Sequence, residues 1–174
     1  MVHTVDAVEV EGLEHNVALH IGFLMMPEYT LSTFSNAVSV LRMANRLSGR
    51  ELYRYSVFSI DGEPVVSSAG LELKMDGSFH TTIDMNILIV CGGYNVKNYC
   101  DKLVIDALRS MDKKGIPLGA ICTGSYVLAA AGLLDGYRST IHWENIASMR
   151  EQFPKLNISS SLFVIDRDRY TCSG

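Results

Sequence analysis

Cys122 is the residue whose surroundings most favour chemistry. The apolar segment 117–121 leads into it, Gly124 lies two positions further on, and an apolar helical pattern begins at once. This order predicts a nucleophile elbow, a sharp strand-to-helix turn that needs small neighbours and lifts the side chain clear of a sheet. The positive end of the helix dipole would favour the thiolate of Cys122, so we expect a nucleophilic cysteine.

A reacting thiol needs hydrogen-bond donors directed at the charge that develops on its substrate. Gly92 and Gly93 end the apolar segment 86–91, and paired glycines let backbone N–H groups approach a ligand closely. Together with the N–H of Thr123 they predict a small anion-binding nest beside Cys122. A plain turn after a strand is the alternative.

Histidine and aromatic side chains supply further candidates. His142 follows Cys122 by twenty residues and could act as its base with Glu144 orienting the ring, although a structural histidine is the alternative. Aromatic rings could face a cation, although core packing is the favoured interpretation for each ring taken singly, including Trp143, the single tryptophan. The aromatic candidates are Tyr29, Phe34, Tyr94 and Trp143. No histidine spacing indicates a metal, so we expect neither metal nor cofactor.

The elements that must position these residues alternate between strand and helix patterns. Such alternation predicts an α/β fold with a mostly parallel central sheet and helices on both faces. Thr30 or Ser32 would cap the first helix, which Gly49 closes. The predicted strands are 17–26, 53–60, 86–91, 117–121, 139–143 and 162–166, with a hairpin at 65–75, and the other predicted helices begin near 98, 123 and 144.

Composition restricts the class of protein. The chain has 174 residues, of which 48% are hydrophobic and 20% charged, which fits one folded domain at 16–174 after an acidic, loosely ordered leader at 1–15. A net charge of −4 gives no electrostatic footprint for nucleic acid. The longest apolar run is too short to span a membrane, and four cysteines without paired spacing predict reduced thiols in the cytoplasm.

Four motifs, in order and spacing, resemble the ThiJ/PfpI superfamily, the class I glutamine-amidotransferase-like proteins. The resemblance covers residue 16 to the end and implies a flavodoxin-like sandwich and a homodimer. Two branches are similar: the isocyanide hydratases and the N-terminal effector domains of AraC-type transcriptional regulators. The motifs are Val-Cys-Gly-Gly at 90–93, Ala-Ile-Cys-Thr-Gly-Ser at 120–125, Ala-Ala-Gly-Leu-Leu-Asp-Gly at 130–136 and Thr-Ile-His-Trp at 140–143.

One departure from the family pattern favours the regulator branch. Enzymatic members place a carboxylate beside the elbow cysteine, and alignment from Pro27 puts that position near Thr33, whose hydroxyl cannot act as a general acid near neutral pH. Glu28 lies in the turn, too early to match. The sequence Leu41-Arg42-Met43-Ala44-Asn45 is similar to a regulator motif on the same helix.

The resemblance therefore implies an effector-sensing and dimerisation domain, cut before a C-terminal helix-turn-helix region through which the longer protein would bind DNA. It would bind a small nitrogen-containing metabolite, a quaternary amine or an amino acid, without turnover. The alternatives are a cysteine-dependent hydratase using Cys122 and His142, and a redox sensor acting through oxidation of Cys122. The residues implied to contact the ligand are Cys122, Thr123, Gly92, Gly93, Tyr94, Thr33, His142 and Trp143.

Overall fold

A seven-stranded sheet carries the fold, and the most apolar segments of the sequence pair at its centre. The computed structural model describes residues 17–79 and 84–174, so the predicted leader at 1–15 lies outside the described residues. The strand order is β10-β11-β7-β6-β1-β2-β5, and every neighbouring pair is parallel except β10 with β11. Two further pairs, β3 with β4 and β8 with β9, form separate two-stranded sheets.

The strands are β1 (Leu19–Met25), β2 (Tyr53–Ser59), β3 (Val65–Val66), β4 (Glu72–Leu73), β5 (Gly77–Ser78), β6 (Ile87–Cys91), β7 (Leu118–Ile121), β8 (Arg138–Ser139), β9 (Asn157–Ile158), β10 (Phe163–Asp166) and β11 (Arg169–Cys172). The α-helices are α1 (Leu31–Ser48), α2 (Lys102–Lys113), α3 (Gly124–Ala130) and α4 (Ile146–Gln152), with short 3-10 helices at Val96–Tyr99 and Trp143–Asn145.

The core lies on both faces of the sheet, because successive residues of a buried strand point to opposite sides. Phe23 of β1 packs with Phe34 of α1 on one face. Leu24, the next residue, belongs to the cluster that holds Leu108 of α2 and Leu128 of α3 on the other. The predicted fold class, a mostly parallel sheet with helices on both faces, is confirmed.

Register brings the carboxyl ends of three strands to one edge. Met25 of β1 lies beside Cys91 of β6, and Cys91 lies beside Ile121 of β7. Ligands of such folds bind beyond the carboxyl ends of the parallel strands, so this edge is where the functional site is expected. No helix within the described residues is both long and apolar enough to cross a membrane.

Two predicted elements differ from the structure. The helix expected near Asn98 begins at Lys102, because the Asp101 side chain accepts the Val104 N–H at 3.0 Å and caps it. Of the strand expected at 139–143 only Arg138–Ser139 pairs, with β9. The prediction that Trp143 packs in the core is also wrong: Trp143 begins a surface 3-10 helix and is 69% exposed.

A buried arginine fixes the hairpin of β10 and β11. The Arg169 guanidinium forms ion pairs with Asp112 of α2 and, at 2.9 Å, with Asp168. Its Nε donates to the Leu133 carbonyl oxygen at 2.8 Å. Since buried charges need such partners, these contacts hold β11 against the body of the domain. The carboxyl end of β11 thereby comes to lie beside Cys122.

Candidate functional site

Cys122 forms a strained turn between β7 and α3. Its φ is 58°, a left-handed conformation that costs free energy for a residue with a side chain. The surroundings hold it there: its N–H donates to the Cys172 carbonyl oxygen at 3.1 Å, and its carbonyl oxygen accepts the His142 N–H at 3.2 Å. The predicted nucleophile elbow is confirmed.

Glycines at the elbow let two backbones cross almost in contact. A Cβ on Gly124 would lie 2.2 Å from the Val90 carbonyl oxygen, and a Cβ on Gly92 would lie 2.1 Å from the Gly124 nitrogen. No side chain fits at either position. The structure therefore places Gly92 directly against the elbow, as the sequence predicted.

The predicted anion nest needs a correction. The Gly92 N–H donates to the Ile121 carbonyl oxygen at 3.3 Å, so it is not directed at a ligand. The Thr123 hydroxyl donates to the Gly93 carbonyl oxygen at 2.7 Å and ties the elbow to the loop after β6. The N–H groups of Gly93 and Thr123, which line the cavity, remain as candidate donors to an anion.

The residue beside the thiol is Thr30 rather than Thr33. The Thr30 Oγ1 lies 3.4 Å from the Cys122 Sγ, whereas the Thr33 hydroxyl donates to the Thr30 carbonyl oxygen at 2.8 Å. Because α1 begins at Leu31, Thr30 is the last extended residue and lies at the sheet edge, while Thr33 lies one turn into the helix. This contact also explains why the Thr30 side chain makes no cap hydrogen bond.

Glu28 lines the same cavity as Cys122 and Thr30, although its early position in the turn after β1 argued against it as the acidic partner of the thiol. Its φ is 59°, and its Oε2 accepts the Asn95 side-chain N–H at 2.8 Å. The turn at Glu28 packs so closely on the next strand that a Cβ on Gly93 would lie 1.7 Å from the Glu28 carbonyl oxygen. A carboxylate three residues beyond the carboxyl end of the parallel strand β1 was the signal that could have identified it.

His142 and Glu144 come together as predicted. The His142 Nδ1 lies 3.7 Å from the Glu144 Oε2, and both residues line the cavity. The Trp143 ring tilts by 36° against the His142 ring at a centroid distance of 5.7 Å. Trp143 is thus a surface neighbour of the histidine.

These residues surround a cavity of about 640 Å³. Among the described residues, the predicted contacts that line it are Cys122, Thr123, Gly93, Tyr94 and His142, while Gly92, Thr33 and Trp143 do not. The lining residues that the sequence did not single out as contacts include Glu28, Thr30, Ser68, Lys97, Tyr126 and Glu144.

The four aromatic candidates separate by burial. Tyr29 and Phe34 are core residues whose rings meet edge to face at 5.9 Å. Tyr94 is 81% exposed at the cavity. Tyr126, which the sequence did not single out, lines the wall and holds the Lys97 ammonium 5.3 Å from its ring centroid. Tyr94 and Tyr126 are therefore the rings available to a ligand.

Charge and protonation define what the cavity can do. Glu28 and Glu144 supply carboxylates, Lys97 an ammonium, His142 an imidazole and Cys122 a thiol. Burial, with a smaller effect from Cys122, raises the pKa of the Cys91 thiol far above its ordinary value, so Cys91 stays a neutral thiol. Within 17–79 and 84–174, no three His, Cys, Asp or Glu residues are grouped so as to hold a metal ion. The arrangement suits a small molecule that carries both charge and apolar surface.

Comparison with known proteins gives one family and several relatives. The model of the DJ-1/PfpI family matches residues 20–174. The HTH-type transcriptional regulator GbdR of Pseudomonas aeruginosa is 46% identical over 154 residues, which are 88% of this chain and 42% of that protein. The isonitrile hydratase of Pseudomonas putida is 34% identical over 128 residues, 73% of this chain and 54% of that enzyme.

Comparison with solved structures also finds a transcriptional regulator. The crystal structure of an AraC family transcriptional regulator from Pseudomonas putida superposes with a TM-score of 0.77 at 30% identity, covering 90% of this chain and 84% of that one. The chain spans less than half the length of two curated transcriptional regulators that it matches, 42% of GbdR and 45% of CdhR.

Proposed function

The chain belongs to the DJ-1/PfpI family, and from that premise we propose that it is the effector-sensing and dimerisation domain of an AraC-type transcriptional regulator. Its relatives include HTH-type regulators of which it spans less than half. On this proposal the remaining part of the longer protein binds DNA in the cytoplasm, and the domain at 16–174 binds a small nitrogen-containing metabolite without turning it over.

The observation that carries the proposal is the contact between Thr30 and Cys122. A cysteine enzyme needs a group that moves protons to and from the reacting atoms, and a hydroxyl does not do this near neutral pH. The oxygen 3.4 Å from the Cys122 Sγ is that of Thr30. The carboxylate of Glu28 is held by Asn95 on the cavity wall. We infer that the thiol forms part of the wall of a binding site.

The lining supports the ligand class. An amino acid or a quaternary amine carries a cationic nitrogen, which the carboxylates of Glu28 and Glu144 and the rings of Tyr94 and Tyr126 would attract. The ammonium of Lys97 and the N–H groups of Gly93 and Thr123 would face a carboxylate on the same ligand. Groups of both charges in one lining suit a zwitterion.

A cysteine-dependent hydratase is the second candidate, because the elbow geometry of Cys122 and the His142–Glu144 pair are also those of a nucleophile with a base. In that case His142 would take the place of the missing carboxylate. The 34% identity to an isonitrile hydratase indicates which reaction to test for this candidate, the hydration of an isocyanide.

One pair of measurements separates sensor from enzyme. A screen of amino acids and quaternary amines by thermal shift should find a ligand that stabilises the protein by about 2.7 kcal/mol at a hundredfold excess over its dissociation constant. Chromatography of the same mixtures should show the ligand unchanged. Cys122→Ser should weaken binding only modestly, because it replaces the Sγ in the wall with a smaller hydroxyl oxygen and leaves the other lining residues unchanged.

The enzyme alternative makes the opposite prediction. Catalysed hydration of an isocyanide that is lost in Cys122→Ser would show that the protein is a hydratase. Thr30→Glu provides the converse variant, since it places a carboxylate at the position that contacts the Sγ. Turnover gained by Thr30→Glu would support the view that the hydroxyl is what prevents catalysis.

A further inference from the structure

A second cavity, of about 620 Å³, lies at the carboxyl ends of β1 and β2. Met25 lines it from the end of β1 and Ser59 from the end of β2, and Met26 and Ile60, the next residues of the chain, line it as well. β1 and β2 are neighbouring parallel strands. The crevice beyond the carboxyl ends of parallel strands is where open α/β sheets bind ligands.

The inner wall of this cavity is apolar. Leu24, Met26 and Val65 line it and belong to the buried core, as does Val104 of α2. Tyr99 and Ile60, which are partly buried, complete the wall. A ligand that fills the cavity would therefore place an apolar body against these side chains, which is the usual composition of a small-molecule site.

Negative charge dominates the rest of the lining. Four acidic residues line the cavity, Glu28, Asp61, Glu63 and Asp101, and no Lys, Arg or His does so among the residues that the structure describes. The nearest lysines along the chain are directed elsewhere: Lys97 donates to Ser148 and Lys102 pairs with Asp106. The carboxylates are therefore not neutralised by a basic residue of the lining.

Hydrogen bonds keep the carboxylate of Asp61 ionised. The Glu63 N–H and the Ser59 hydroxyl donate to the Asp61 Oδ1 at 3.0 and 3.1 Å, and the pKa of Asp61 is lowered, first by the Glu63 backbone. The Asp101 Oδ1 accepts the Val104 N–H at the start of α2, which fixes the position of that carboxylate.

We propose that this cavity is a second small-molecule site and that it binds a protonated amine with an apolar body. The cationic nitrogen faces the acidic residues, and the apolar body packs against Met26, Val65 and Val104. This site is distinct from the cavity at Cys122, although Glu28, Ser68 and Asn98 line both. The proposal does not depend on the function proposed for the elbow cavity.

The test uses three probes with the same body and different charge: phenethylamine, 2-phenylethanol and 3-phenylpropionate. Calorimetric titration of the full chain should show binding of the amine, with the alcohol and the acid at least about tenfold weaker, because only the amine offers a charge-assisted bond. The variant Glu63→Gln/Asp101→Asn keeps side chains of the same shape and a capping oxygen at 101. It should weaken amine binding about tenfold.

Two controls locate the site. Asp135→Asn/Glu151→Gln removes the same charge from positions that line neither cavity and should leave the affinity for phenethylamine unchanged. Cys122→Ser/Glu144→Gln alters only the elbow cavity and should also leave it unchanged. An absence of amine binding up to about 10 mM, equal binding of the three probes, or a loss in the elbow variant instead of the Glu63→Gln/Asp101→Asn variant would each overturn the proposal.

Discussion

At the scale of single residues, two buried cysteines at the same end of the sheet have different environments. Cys91 ends β6 inside the core, where burial raises its pKa. Cys122 directly follows β7, leaves the strand direction at a φ of 58° and lines a cavity. The difference arises from the elbow, since one turn of the backbone decides whether a thiol enters the core or a ligand site.

We predict that iodoacetamide at pH 8 modifies Cys122 at least about tenfold faster than Cys91, because alkylation needs both access and thiolate. Since the pKa of Cys91 is raised, the neutral thiol persists as the pH increases, and Cys91 should remain unmodified up to about pH 9. Peptide mass spectrometry after timed labelling measures both sites. Equal rates at the two cysteines would contradict the prediction.

At the scale of elements, the site depends on the contact between the turn after β1 and the loop after β6. Thr30 donates its N–H to the Gly92 carbonyl oxygen at 3.1 Å, and Tyr94 donates its N–H to that of Glu28 at 3.2 Å. These bonds, with Gly93 between them, bring Glu28 and Thr30 to the cavity at Cys122. The position of the acidic and hydroxyl side chains is therefore a property of two loops held together.

Gly93→Ala should break this arrangement. Its Cβ would lie 1.7 Å from the Glu28 carbonyl oxygen, and backbone cannot rotate away as a side chain can. We expect the free energy of unfolding to fall by about 3 kcal/mol and ligand binding at the elbow cavity to be lost. Chemical denaturation measures the first effect and thermal shift the second.

Gly49→Ala is the matched control, because a Cβ there meets nothing within 4 Å and only the φ of 65° is unfavourable. It should cost about 1 kcal/mol and leave binding intact. If Gly93→Ala cost no more than Gly49→Ala, the close packing of the two loops would not be what positions the site.

At the scale of the whole molecule, two elements, α1 and β10, each expose a pair of large aliphatic or aromatic side chains. Val40 and Leu47 are 67% and 79% exposed on α1, while Phe163 and Ile165 are 65% and 64% exposed on β10. Apolar groups of this kind mark candidate contact surfaces between copies. α1 is the contact that we expect in a homodimer, because it also carries the sequence similar to the regulator motif.

Light scattering at tens of micromolar protein should give the mass of a dimer, since a two-fold symmetric pair is the commonest assembly of such domains. Val40→Lys should shift the mass toward that of a monomer, because a charge enters the proposed contact. Phe163→Lys is the control on β10 and should leave the dimer intact. A monomer in the unaltered protein, or dissociation only in Phe163→Lys, would contradict the prediction.

Local patterns in the sequence were enough for most of the fold and for the elbow. The strands at Ile87–Cys91 and Leu118–Ile121 are short apolar runs bounded by turn residues, and the elbow lies within ten consecutive residues. The residue at which α2 begins was predicted less well. The Asp101 cap lies three residues beyond the predicted helix start near Asn98, because a 3-10 turn satisfies the same apolar spacing.

The sequence by itself therefore determined the fold class, the family resemblance and the turn at Cys122, since each depends on residues close together along the chain. Only the tertiary structure decided that Thr30 contacts the thiol, that Glu28 reaches the cavity, and that Trp143 lies at the surface. It also decided the second cavity, whose walls come from residues 24–28, 59–70 and 98–104. The physical reason is that loop contacts depend on the relative position of strands, which strand pairing sets and local sequence does not encode.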